Sequence, residues 1–356
     1  MNLGQVTVVT GGNGVGKSNV YQALALLRRM AEGRFAASVA AEGGMPGMLW
    51  AGARRKDELL RLSWEIDHSD FHLEIETGLI PTAPDDPTKF RTDPDIKLEC
   101  LRLGAGNKGR IMARRKGPSV ELRTPDGPME MLPLPVHATE SMLSEVRDGI
   151  RYPALTAARE TLLSWRFYHH FRTDPRSPLR QPAVGFWSPV LDEDGRNLAA
   201  TLQTLFECKK SDPLDEAFLE AFPGCSAWSP VDSEDRFHLN VLRDDLKRWL
   251  TASELSDGTL RFFCICAALL TPKPPPLMVF NEPESSLHSK LLPPLARLIA
   301  AAAVDTQILI VTHSDDLASE IAQRCEAKRV ELVSHKGETR LAAHAGPNRV
   351  WSFDGE

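Results

Sequence analysis

The chain has 356 residues, 42% of them hydrophobic and 25% charged, with a formal net charge of −6. These are globular values, enough for one large domain or two ordinary ones. The negative balance excludes a global basic field, so any nucleic-acid surface must be local.

Six cysteines (Cys100, Cys208, Cys225, Cys264, Cys266 and Cys325) form no CxxC pair and no Cys/His metal spacing. They read as thiols of a reducing cytosol. No apolar run, Leu295 to Val304 included, is long enough to cross a bilayer, which predicts a cytoplasmic protein with no membrane partner.

In chain order, the run Val6-Thr7-Val8-Val9 predicts a strand, and Val20 to Met30 a helix. Between them stands Gly11-Gly12-Asn13-Gly14-Val15-Gly16-Lys17-Ser18, a G-x-x-x-x-G-K-S phosphate loop in its required strand–loop–helix setting. Its glycines let backbone amides turn inward around phosphates, and the helix start adds its positive end. Lys17 reaches the β- and γ-phosphates in such a loop, and the Ser18 hydroxyl ligates Mg²⁺.

From Leu59 the apolar period becomes two. Leu60, Leu62, Trp64 and Ile66 alternate with polar residues, as do Phe71-Leu73-Ile75, Ile96-Leu98-Cys100 and Val120-Leu122. The intervening Pro/Asp/Gly clusters are turns, so residues 59–132 are predicted to be an antiparallel β-meander. Thr139 to Phe171 reads as helical, interrupted near Tyr152-Pro153, and a Pro-rich loop follows to Pro182. On such a helix His169 and His170 would diverge by about 100°, which assigns them to aromatic packing rather than to a shared ion. Helices are expected around Asn197 to Phe206 and Leu214 to Phe222, with Asp192-Glu193-Asp194-Gly195 as a helix entry. Short strands are expected at Val184 to Phe186 and over Phe237-Leu239-Val241. Glu254 to Val311 then alternates helix and strand, the rhythm of a parallel α/β core.

Three features of this last stretch carry chemistry. Leu277 to Phe280 is an apolar strand ending in Asn281-Glu282. This is the form of a Walker B strand, with Asn in place of the usual Asp. An amide oxygen can still accept from a magnesium-bound water, and Glu282 is the candidate general base. Leu309 to Val311 ends in Thr312-His313-Ser314, where His313 could donate to a γ-phosphate or orient water. Ser256-Asp257-Gly258 precedes the helical run Leu260 to Leu270, with Ser256 or Asp257 as N-cap and Gly258 allowing close approach.

In this order the pieces resemble the ABC-type ATPase heads, and within them the bacterial RecF-like proteins related to RecF, SMC and OLD proteins. The matching text is GGNGVGKSN, SWRFYHHFRTDPRSPLRQP, LDEDGRNLAATLQTL, LSDGTLRF, MVFNEPESSLH and LIVTHS, and the similarity extends over nearly the whole chain. The resemblance implies an α/β P-loop NTPase of ABC-ATPase head type with an AAA-type core, a β-meander and a helical insertion. Residues 1–58 would be the phosphate-loop lobe, 59–132 the meander and 133–182 the insertion. Residues 183–356 would then complete the same ATPase domain. It implies ATP and Mg²⁺ as ligands. Gly11, Gly12, Asn13, Gly14, Val15, Gly16, Lys17, Ser18 and Asn19 would bind ATP; Ser18 and Asn281 would hold the metal, Asn281 through water; Glu282, His313 and Lys17 would act in catalysis. Ser256, Asp257 and Gly258 match the signature that closes on the nucleotide of a second subunit, and Ser285-Ser286-Leu287-His288 matches the D-loop. A head-to-tail homodimer sandwiching ATP follows.

DNA is the partner the resemblance implies, in repair, recombination or replication. Candidate contacts are the basic clusters Arg54-Arg55-Lys56, Lys108 to Lys116 (with Arg110, Arg114 and Arg115), and Arg172, Arg176 and Arg180. Two alternatives stand beside this reading. One is a phage-defence ATPase controlling a separate effector protein; the other is a nucleotide-dependent dimerising scaffold with negligible hydrolysis.

Overall fold

The computed structural model describes residues 1–49, 52, 61–81, 85, 87–133, 135–208, 211–335, 337–342 and 353–354. The chain opens with β1 (Val6–Gly11), α1 (Lys17–Glu32), α2 (Phe35–Ala41) and α3 (Met45–Met48). Six strands follow: β2 (Arg61–Asp67), β3 (Phe71–Leu79), β4 (Pro94–Leu103), β5 (Arg110–Lys116), β6 (Ser119–Arg123) and β7 (Met129–Met131). Next come α4 (Met142–Glu145), α5 (Pro153–Ser164), β8 (Arg166–Tyr168), β9 (Ala183–Val184), α6 (Leu198–Glu207) and α7 (Ser211–Ala221). Four short strands, β10 (Cys225–Trp228), β11 (Arg236–Phe237), β12 (Asn240–Arg243) and β13 (Leu250–Thr251), lead to α8 (Asp257–Leu269). The remainder is β14 (Leu277–Asn281), α9 (Leu292–Ala302), β15 (Gln307–Val311), α10 (Asp315–Ala322), β16 (Ala327–His335), β17 (Glu338–Leu341) and β18 (Phe353–Asp354). No helix among the described residues is long and apolar enough to cross a membrane.

The chain divides into two units, one of Met1–Gly4, Gly14–Trp165 and Leu332–Glu356, the other of Gln5–Asn13 and Arg166–Glu331. In the first, β2 to β7 pair in sequence order as an antiparallel meander, with β18 parallel to β2. Alternation puts Trp64, Ile66, Leu73, Ile75, Leu101 and Val120 on buried positions. The α1 helix buries Val20, Leu24, Leu27 and Met30, and the Trp64 indole donates to Ala23 O at 3.0 Å, tying β2 to that helix.

A buried ion pair stands on the meander's β4 and β5. Glu99 and Arg115 have no exposed side-chain surface and lie 3.3 Å apart. The guanidinium also donates to Gly117 O, His137 O, Ala138 O and Glu140 O. The carboxylate accepts from the Met142 amide at 2.9 Å and from the Ser141 hydroxyl. Burial pushes the Glu99 carboxyl above its usual range, while Arg115 and these donors pull the other way. Such a pair holds the 137–142 segment on the sheet only because its hydrogen-bonding groups are met.

In the second unit the neighbours run β16-β1-β15-β14-β8. β1, β14 and β8 are parallel in the register Val8↔Ile310, Phe280↔Ile310 and Phe280↔Tyr168. The second half of β16, Leu332 to His335, pairs antiparallel with β17. Every residue of β14 is buried, as expected for a strand covered on both faces. From Leu260 to Leu269 α8 is buried all round, the mark of a central helix, and its Phe263 stacks on Phe218 of α7 at 4.4 Å.

Two expectations need correction. The stretch read as helical from Thr139 to Phe171 yields only α4 and α5; Arg166–Tyr168 is instead strand β8, a member of the parallel sheet. Three residues are too few for a period, so pairing with β14 decides the conformation. Phe237 to Val241 is two strands, with Phe237 on β11 beside β9 and Val241 on β12 beside β10.

Candidate functional site

Gly11 closes β1 and Lys17 opens α1, so the phosphate loop is the connection between them. Gly14 and Gly16 have φ of +75° and +92°, and a Cβ on Gly16 would stand 2.2 Å from Thr339 Oγ1. The loop therefore needs glycine at position 16 for both conformation and space. Gly16 is the N-cap of α1; no side chain caps that end, and no acidic residue stands in the first turn. This is the electrostatic form of an anion site at a helix start. Lys17 is buried; Gly12, Asn13, Ser18 and Asn19 are exposed, and Val15 is half-buried.

The second unit gathers a polar cluster where β8, β14 and β15 end. Asn281, the last residue of β14, is 3% exposed. Its Nδ2 lies 2.7 Å from His169 Nδ1, and its Oδ1 is buried with no hydrogen-bond partner among the described residues. Glu282 follows with φ of +51°, a left-handed conformation unfavourable for a side chain with a Cβ. That backbone is held by its amide, which donates to Val311 O at 2.7 Å, and by Arg261, whose Nη2 donates to both Glu282 O and His169 O at 3.2 Å. Strain of this kind persists where surrounding structure enforces it, and is typical of functional sites.

His313 Nδ1 stands 3.6 Å from both Glu282 Oε1 and Glu284 Oε1. Glu284 is 8% exposed; its Oε1 accepts from Thr312 Oγ1 at 2.5 Å, and its Oε2 is buried without a partner. Burial pulls the Arg261 guanidinium below its ordinary value, with Glu284 and Glu282 acting in the opposite direction.

The signature residues stand at the start of α8. Ser256 is the N-cap, its Oγ accepting from the Thr259 amide at 3.2 Å. A Cβ on Gly258 would come within 2.8 Å of Ser286 O, so glycine is what lets the helix start approach the 285–288 loop. Arg180 wraps the preceding turn, donating to Ala252 O, Ser253 O and Leu255 O and, at 2.7 Å, to Asp257 Oδ1.

The structure thus brings Glu282 and His313 together and sets Asn281 beside them in sequence. Sequence reasoning missed Arg261, Glu284 and Thr312, although all three lie in quoted motif text. His169 and His170 follow a strand, not a helix, and the His169 ring meets the Asn281 amide.

The DNA-contact expectation is corrected in part. Arg115 is core, paired with Glu99, and Arg180 is 8% exposed and spent on the signature turn. Arg114 is exposed but paired with Glu121, and Arg172 with Asp174. Arg54, Arg55 and Lys56 lie outside the described residues.

Each unit offers groups of the right chemistry. In the first, the glycine-lined start of α1 and the exposed Ser18 hydroxyl suit phosphate and a hard cation. In the second, the buried Asn281 oxygen, unpartnered among the described residues, suits a donor such as a cation-bound water.

Fold and site define a P-loop NTPase of mixed α/β architecture. The chain belongs to the family described as "AAA domain, putative AbiEii toxin, Type IV TA system", matched over residues 6–79 and 139–319. Its fold is similar to that of SMC head ATPase domains. It is similar to the crystal structure of an SmcHead bound to the C-winged helix domain of ScpA, with a TM-score of 0.52 at 16% identity, covering 96% of this chain and 91% of that one. The Smc head with extended coiled coil from Pyrococcus furiosus, solved bound to the C-terminal domain of ScpA, scores 0.49 at 15% identity, over 96% and 90% of the two chains.

Proposed function

We propose that this protein binds ATP with Mg²⁺, hydrolyses it, and cycles between an ATP-closed homodimer and an open form. The observation that carries this is the strained Glu282 at the end of β14, facing His313 and following the buried, unpartnered Asn281 oxygen. Lys17 and the α1 amides hold the phosphates. Glu282 orients the attacking water and takes its proton, and His313 fixes the geometry around the γ-phosphoryl. Ser18 would hold Mg²⁺ directly and Asn281 through a water, and the ion would supply charge neutralisation on the phosphate oxygens. The α8 start, with Ser256 as cap, closes on the nucleotide of a second copy, a helix dipole aimed at phosphate. Phosphate release by wild type and by Glu282→Gln tests the chemistry. Loss of turnover with retained ATP binding supports it; equal turnover contradicts it.

The output of the cycle is control of a partner in the cytoplasm. RecF-like action on DNA is one form. The family description favours a second, a nucleotide-gated component of a toxin or defence system that acts with another protein. Neighbouring genes and salt-dependent DNA binding in the presence of ATP separate the two.

A further inference from the structure

β8 runs parallel to β14 with Met278 opposite Arg166, Val279 opposite Phe167 and Phe280 opposite Tyr168. The next residues of the two strands are His169 and Asn281, and they meet at 2.7 Å between Nδ1 and Nδ2. An amide nitrogen carries only hydrogens, so the ring nitrogen is the acceptor and the imidazole holds its proton on Nε2. That bond fixes which end of the amide points where: with Nδ2 spent on the ring, Oδ1 is left as the other atom, buried and accepting from nothing among the described residues. An unmet buried acceptor is destabilising. It is retained where something else supplies the donor.

A carboxylate at this strand end would offer an oxygen whichever way it turned. An asparagine offers one oxygen and one NH₂ group, so a second residue must choose between them. We infer that His169 is that positioning residue. By accepting from Nδ2 it turns Oδ1 toward the donor it lacks, a magnesium-bound water, and keeps the NH₂ group away from the cation. Arg261 braces the arrangement by bonding the carbonyls of both His169 and Glu282. The inference rests on the Mg²⁺–ATP reading above and adds the residue that makes an asparagine serve there.

The test measures nucleotide affinity in EDTA and in Mg²⁺, and Mn²⁺ binding by electron paramagnetic resonance in the presence of ADP. Wild type should bind in EDTA and tighten with metal. His169→Leu should bind as wild type in EDTA but lose roughly 10- to 100-fold in metal affinity. His169→Gln, which keeps an acceptor oxygen, should recover much of it. Adding Asn281→Asp to His169→Leu should restore metal binding, because the carboxylate needs no orientation. Full metal affinity in His169→Leu, or no restoration in the double variant, would overturn the assignment. Wild type that binds nucleotide but ignores metal overturns the metal role alone. Wild type that ignores nucleotide in both conditions overturns the ATP reading and this inference with it.

Discussion

Two groups of buried polar side chains, one in each unit, are built on opposite rules. On the meander, Glu99 and Arg115 are fully enclosed, and the oxygens of one and the nitrogens of the other find partners. At the end of the parallel sheet, Asn281, Glu284 and Arg261 are also buried, yet Asn281 Oδ1, Glu284 Oε2 and Arg261 Nε have none among the described residues. Glu282 beside them adopts a backbone angle that its Cβ resists. The first group is complete without a ligand; the second is incomplete, and incompleteness of this sort marks function.

Variants can sharpen this contrast. The largest effect is expected from Glu282→Gln, which should cut ATP turnover by roughly 10²- to 10⁴-fold while leaving thermal stability near wild type, checked by phosphate release and calorimetry. Arg115→Met should do the reverse. Leaving Glu99 buried without its partner should cost about 3–5 kcal/mol of stability by denaturant unfolding. Ser256→Ala removes a helix cap and should cost about 1 kcal/mol in the same assay. If the signature acts between copies, it should also weaken ATP-dependent dimerisation. Smallest of all, Arg114→Ala removes an exposed pair with Glu121, and its expected cost is at most about 1 kcal/mol.

The meander also holds a pH probe. Burial disfavours charge on His72, but hydrogen bonds to Asp67 and Glu74 outweigh it, and the pKa is raised above its usual value. A raised histidine pKa contributes stability that is fully present below the unfolded value of about 6.5 and fades as pH climbs through the folded one. Stability of wild type should therefore fall as pH rises above about 6.5, and His72→Gln should flatten that slope. An unchanged slope in the variant would remove His72 as its source.

Long, strongly patterned segments were legible in the sequence. The apolar runs that became β1, β14 and β15 announced a parallel core, and alternation from Trp64 to Leu122 announced the meander. Residue types at strand ends pointed to Asn281, Glu282 and His313. What could not be read depended on pairing across the chain. β8 has three residues and no period of its own, so His169 was assigned to a helix. Arg115 and Arg180 belong to basic clusters by spacing, yet one lies in the core and the other clasps a turn more than seventy residues on. A one-dimensional pattern does not distinguish a charge that meets solvent from one that meets carbonyls.

In the proposed cycle, nucleotide joins two copies through the phosphate loop of one and the Ser256 helix start of the other. The direct measurement is the solution mass of Glu282→Gln with and without ATP and Mg²⁺. Twice the monomer mass is expected with ATP, and a return to the lower mass without it. A monomer that binds ATP to saturation would contradict it.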